Sequence, residues 1–196
     1  TIGHGLSKKP ELMWVKPRST ANSWVHYDFQ FGGTHYMALQ TTQASAALTS
    51  RWNDLNPDSK VFSVGNHVSV SDDGNKHIAY LWHSVEGFSK IGTFEGNSNN
   101  DGPFIYLGFK PAFFMMKGTA SGARWLMYDN KRPGFNLNNN HLFANTSAVE
   151  TASSANTMDL LSNGFKVRSS NNGLNRSGAT FTYYAFAESP FVNSNK

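Results

Sequence analysis

The sequence predicts an all-β protein, an antiparallel sandwich or barrel, on three observations. Short runs rich in Val, Ile, Phe, Tyr, Trp and Thr alternate with clusters of Gly, Asn, Asp and Ser, the pattern of strands and their turns. No stretch of the 196 residues sustains a 3.6-residue apolar period, so no long helix is expected. Residues 10–28 recur in kind as residues 111–129, so the strand pattern is laid down twice.

The first strands fall at residues 11–16 and 24–29, where ELMWVK and WVHYDF concentrate apolar and aromatic side chains. Further runs follow at residues 36–41, 61–64, 78–82 and 89–94, and then at 104–109, 112–117, 125–129, 165–168 and 180–187. Between them lie Asp72-Asp73-Gly74-Asn75, Asn99-Asn100-Asp101-Gly102, Ser162-Asn163-Gly164 and Asn171-Asn172-Gly173. Such strings favour turns because Gly tolerates positive φ and Asn and Asp bond their own backbone. Residues 42–51 and 146–161 alone leave room for a turn or two of helix.

At an offset of 101 without a gap, Pro10, Lys16, Trp24, Tyr27 and Asp28 fall on Pro111, Lys117, Trp125, Tyr128 and Asp129. VFSV at 61–64 parallels GFKV at 164–167, and HIAYLWH at 77–83 parallels FTYYAFA at 181–187. Two tandem, related halves are expected, residues 1–98 and 99–196, either separate β-sandwich repeats or packed as one pseudo-symmetric domain. Trp24 and Trp125 should then fill equivalent core pockets, with Trp14 and Trp82 also in the core.

Composition narrows the function. Ser, Thr, Asn and Gly make up 73 of 196 residues, whereas charged residues are only 15%. The surface is therefore built from small neutral polar groups. With no Cys, the chain has neither disulfides nor thiolate ligands or nucleophiles. The net charge of +4 comes from scattered positions, and no basic stripe interleaves with stacking aromatics, which argues against nucleic acid. No apolar run reaches the ~18 residues of a membrane-spanning helix.

Catalytic signatures are sparse. There is no Gly-x-Ser-x-Gly elbow and no His-x-x-x-His pair, and six of the seven His lie in the first half. Asp28 and Asp129 coincide in the repeat, each ending a Trp-x-x-Tyr-Asp strand, which suits a turn cap better than catalysis. Residues 72–75 and 97–101 carry oxygen ligands suited to Ca²⁺ but lack the closing Glu of a calcium loop, so hairpin turns are expected and no metal or cofactor. The aromatics say more. Trp52 sits between Arg51 and Asn53-Asp54 without a counterpart in the second half, and an exposed Trp so flanked suits a sugar, its ring against C–H faces and its neighbours on the hydroxyls. The loop at 132–145 offers the same vocabulary in Phe135, Asn136, Asn138 to Asn140 and His141. A solvated, Asn-rich turn is the competing account of that loop.

Several ordered segments carry a resemblance: GHGLSKKPELMWVK (3–16), WNDLNPDSKVFSVG (52–65), DDGNKHIAYLWHSVEGFSKIGTFEGN (72–97), DGPFIYLGFKPAFFMMK (101–117), LSNGFKVR (161–168) and AFAESPF (185–191). Together they resemble a domain of tail-fibre and other virion structural proteins of marine tailed bacteriophages. The resemblance implies a β-sandwich of jelly-roll or lectin-like type on a virion surface, trimeric as tail fibres typically are, with other virion proteins as partners. It supplies no catalytic residues, and Trp82-His83-Ser84 departs from the aromatic-Ala-Glu string of the second half, Phe186-Ala187-Glu188. Three functions are expected in order: a non-catalytic receptor-binding module for host surface glycan, a purely structural virion component, and a polysaccharide depolymerase.

Overall fold

The computed structural model describes residues 1–120, 122–133 and 135–190. The protein is all-β, its strands gathered into antiparallel sheets, and it divides into two compact units, Thr1–His83 and Ser84–Lys196.

The first unit contains β1 (Ile2–Gly3), β2 (Leu12–Pro17), β3 (Val25–Asp28), β4 (His35–Ala38), β5 (Ala46–Ala47), a single helical turn α1 (Thr49–Trp52), β6 (Val61–Phe62) and β7 (His77–Trp82). Its main sheet runs β5-β4-β3-β2-β7, with β1 and β6 paired separately. Side chains alternate across a strand, so Met13, Val15, Val25 and Tyr27 turn to one face, where they meet Trp52, Phe62 and Val70 as a buried core.

The second unit contains β8 (Ser89–Glu95), β9 (Phe104–Tyr106), β10 (Pro111–Gly118), β11 (Leu126–Asp129), β12 (Asn140–Phe143), β13 (Thr151–Ala152), β14 (Met158–Leu161), β15 (Gly164–Val167), the turn α2 (Asn172–Asn175) and β16 (Thr180–Ala187). A six-stranded sheet runs β13-β12-β11-β10-β16-β8, and a three-stranded sheet runs β14-β15-β9. The two sheets share one core: Phe114, Met116, Tyr128 and Phe181 from the first meet Ile105, Met158, Phe165 and Val167 from the second. Phe114 stacks on Phe165 at 4.6 Å and on Tyr128 at 4.9 Å. Aromatic pairs of this kind add ~1 kcal/mol each beyond area burial.

The pairing registers can be compared directly. Leu12 faces Asp28 and Val15 faces Val25 in the first unit; Phe113 faces Asp129 and Met116 faces Leu126 in the second, at the offset of 101. β7 and β16 occupy the same place in strand order beside β2 and β10.

Three expectations are corrected. The division falls after His83 rather than after residue 98, because β8 pairs with β16 over seven positions from Ser89↔Phe186 to Glu95↔Thr180. Residues 146–161 hold β13 and β14 instead of helix, their backbone being bound to β12 and β15. Trp24 and its neighbours Trp14 and Trp82 are only half-buried, whereas Trp125 has no exposed surface.

Two residues show how polar turns are tied to this frame. Asn175 is fully buried, and its Nδ2 donates to Asn97 Oδ1, Asn99 O and Ser169 O, each at 2.8 Å, while its Oδ1 accepts from the Asn97 N–H. Gly96 is required because a Cβ there would lie 2.2 Å from the Arg176 carbonyl oxygen. Asn175→Ala should lower unfolding free energy by about 2 kcal/mol in urea denaturation, since it removes these hydrogen bonds and leaves the buried Ser169 carbonyl without this donor. An unchanged midpoint would contradict the hub.

Candidate functional site

The loop that follows β11 is shaped by its own amides and carboxylates. Asp129 Oδ1 accepts the N–H groups of Lys131 and Arg132, both at 2.9 Å, while Asp129 Oδ2 pairs with Arg132 Nε at 2.7 Å. Arg132 also pairs with Glu150. Further on, Asn138 exchanges backbone hydrogen bonds with Met158, at 2.7 and 2.9 Å, and its Nδ2 donates to the Asp129 carbonyl at 2.7 Å. Asn136 imitates a strand partner: its Nδ2 donates to Leu160 O and its Oδ1 accepts the Leu160 N–H.

These anchors leave a cavity of about 170 Å³ lined by Lys110, Asn130, Phe135, Asn136, Asn138 and Leu160. Phe135 is 73% exposed at its edge, while Asn138 is 1% exposed and its Oδ1 has no hydrogen-bond partner. Unsatisfied buried acceptors are uncommon in folded proteins. Beside the cavity, Glu188 receives Lys110 Nζ at 2.8 Å and Asn130 Nδ2 at 2.7 Å, with Lys131 at 3.6 Å. The hydrogen bond from Lys110 holds the Glu188 carboxyl below its usual range. The lining thus sets an exposed ring beside amides and an ammonium that already hold internal partners, Asn136 on Leu160 and Lys110 on Glu188.

Of the residues singled out from the sequence, Phe135, Asn136 and Asn138 line this cavity. Asn140 and His141 do not. Asn140 Nδ2 donates to Glu150 at 2.6 Å, at the loop's charged edge. His141 is 1% exposed, beside the Tyr128 ring and hydrogen-bonded through Nε2 to Asn156. Burial pushes its pKa down, so it is a neutral core imidazole rather than a ligand-binding group.

The group around Trp52 is corrected outright. Trp52 has no exposed surface; its ring lies edge-on to Tyr27 at 5.8 Å, and its Nε1 finds no partner. Arg51, 5% exposed, lies 4.4 Å over the Tyr36 ring and reaches His67 Nδ1 at 2.5 Å. Asn53 and Asp54 are exposed in left-handed conformation, with Asn53 Nδ2 on Val64 O and Asp54 on the Thr49 hydroxyl. Arg51 and Trp52 close a corner of the first unit's core, so the Trp52 ring is not an exposed platform for a sugar. Lys110, Asn130 and Leu160 were missed because they reach the cavity from separate strands and turns. The Asn-rich string around Asn136 was the one local signal.

Among the described residues, no three His, Asp or Glu side chains gather to hold a metal ion. The 97–101 loop spends its side chains on itself, Asn97 and Asn99 capping the N–H groups two residues on, while Asp101 pairs with Lys166 at 2.8 Å. No curated protein and no solved structure matches the chain. Residues 1–190 match the family described as Domain of unknown function (DUF7483), and with nearly the whole chain covered, the protein belongs to that family.

Proposed function

We propose that the chain is a non-catalytic recognition module that takes a saccharide of a host-cell surface at the Phe135 cavity, displayed from a virion such as a tail fibre. The observation that carries this reading is a 73% exposed Phe ring at the edge of a polar cavity lined by Lys110, Asn130, Asn136 and Asn138. A ring so placed packs against sugar C–H faces, and fixed amides and an ammonium meet the hydroxyls. A shallow site of this size binds weakly alone, and a trimeric fibre would multiply it by avidity.

Glycan-array screening of wild-type protein against Phe135→Ala tests the reading. Binding should fall about tenfold or more, the loss expected when an aromatic contact worth at least ~1.4 kcal/mol is removed. Melting should hardly change, because so exposed a ring adds little to the core. Equal binding by both proteins would remove the site.

A structural virion component remains the second reading, favoured by Phe104 and Tyr106, 46% and 59% exposed on β9. A concentration-dependent rise in solution mass, abolished by Phe104→Ser, would support it over the first.

A further inference from the structure

The first unit holds an open groove that the Phe135 reading does not use. It encloses about 580 Å³ and is lined by Lys16, Ala21, Asn22, Ser23, Trp24 and Gln40. Trp24 stacks on Tyr80 at 6.3 Å and 22°, and Tyr80 on Trp82 at 6.0 Å and 16°, with Tyr80 41% exposed. Three rings thus form a row on one side of β7 and β2.

The polar groups around Trp24 are oriented by the backbone. Gln40 Oε1 accepts the Trp24 N–H at 3.2 Å, and Asn22 Oδ1 accepts the Ser23 N–H at 2.8 Å. Both carboxamides therefore have their oxygens engaged, leaving Gln40 Nε2 and Asn22 Nδ2 as donors without partners among the described residues. Lys16, on the same groove, donates its Nζ to Pro17 O at 2.6 Å and loosely to Thr20 O at 3.5 Å. No Asp or Glu lines the groove. Its polar lining is rich in donors and carries one positive charge.

The second unit holds the same frame in closed form. Trp125 stacks on Tyr184 at 6.3 Å and 26°, Asn145 Oδ1 accepts the Trp125 N–H at 3.0 Å, and Lys117 Nζ donates to Gly118 O at 2.9 Å. There, Lys117, Trp125 and Tyr184 are buried at 0%, 0% and 1% exposure. The Lys–Trp–Tyr frame is thus sound as packing, and packing alone explains it in the second unit. In the first unit the frame is uncovered and ringed with unused donors, which packing does not explain.

We infer that the Trp24 groove is a second binding site, for an acidic saccharide whose carboxylate meets Lys16, Asn22 and Gln40 while a sugar face lies on Trp24. A carboxylate accepts from several donors at once and gains most from charge-assisted bonds, and a neutral sugar would leave the ammonium uncompensated. The site rests on residues separate from the Phe135 cavity, so either can fail without the other.

The test is calorimetric titration of the whole chain with α-1,4-tri-galacturonate, its fully methyl-esterified form, and β-1,4-tri-mannuronate. At least one acid should bind, and its affinity should fall as salt rises. The methyl ester should bind about tenfold more weakly than its acid, as loss of a charge-assisted contact predicts. Trp24→Ala should weaken the acid about tenfold, the scale of a lost stacking contact. Gln40→Glu should weaken it similarly while leaving the melting temperature intact, since a carboxylate still accepts the Trp24 N–H but repels the ligand. Phe135→Ala should leave acid binding unchanged. The inference is overturned if neither acid binds at millimolar concentration, if acid and ester bind equally, or if Phe135→Ala abolishes acid binding while Gln40→Glu does not.

Discussion

Trp52→Ala should lower the unfolding free energy by about 3–5 kcal/mol, the range for deleting a fully buried Trp from a packed core. The side chain has no exposed surface and sits edge-on to Tyr27 in the buried cluster with Val25, Phe62 and Val70. Its removal leaves a cavity that the short β6 and single-turn α1 cannot collapse to fill. Trp52→Phe is the informative companion. The indole Nε1 has no partner, so Phe removes an unsatisfied donor while keeping most of the volume, and should cost ~1 kcal/mol or less. Urea denaturation of the two variants checks both. If Trp52→Ala were as stable as wild type but bound glycan poorly, Trp52 would be a surface platform after all.

Lys117→Met should stabilise the protein by about 2 kcal/mol near neutral pH. Lys117 has no exposed surface, and burial pushes its pKa down from 10.5 to about 8. At ~1.36 kcal/mol per pH unit, that shift corresponds to a penalty of about 3 kcal/mol on the charged folded form. Losing the hydrogen bond to Gly118 O returns ~1 kcal/mol of that gain. The pH dependence carries the sign. Below about pH 8 the ammonium is charged in both folded and unfolded chains, and the folded state bears the whole penalty. Between about 8 and 10.5 the unfolded chain binds more protons than the folded one, so wild-type stability rises with pH relative to the variant. The stability difference between Lys117→Met and wild type should therefore be largest below pH 8 and shrink through that window. A difference independent of pH would mean the lysine titrates in the fold as it does in the unfolded chain, so that burial does not lower its pKa. Subtracting the two profiles also cancels Tyr27, whose hydroxyl burial pushes up to about 12.

Strands were legible wherever the pattern was local. Residues 180–187 form β16 with the expected bounds, and residues 11–16 lie within one residue of β2, because β-branched and aromatic runs between Gly and Asn clusters carry their own signal. β12 and β14 were invisible. NHLF and MDLL have no alternation of their own and become strands because β11 and β15 offer them hydrogen-bonding edges. The candidate site divides in the same way. Phe135 was readable as an aromatic in a polar loop, and it is exposed. Trp52 had the same local dress of Arg, Asn and Asp and is buried, because one helical turn points it inward with Arg51 while Asn53 and Asp54 face water.

What the sequence determined alone was the all-β class and most of the strands. These depend on alternation and turn chemistry, which act over a few residues. Only the tertiary structure decided which sheet β8 joins, that Lys117 and His141 lie inside, and that Trp24 lies open where Trp125 is closed. Burial depends on what other segments lay across a residue, and that is set by contacts between distant parts of the chain.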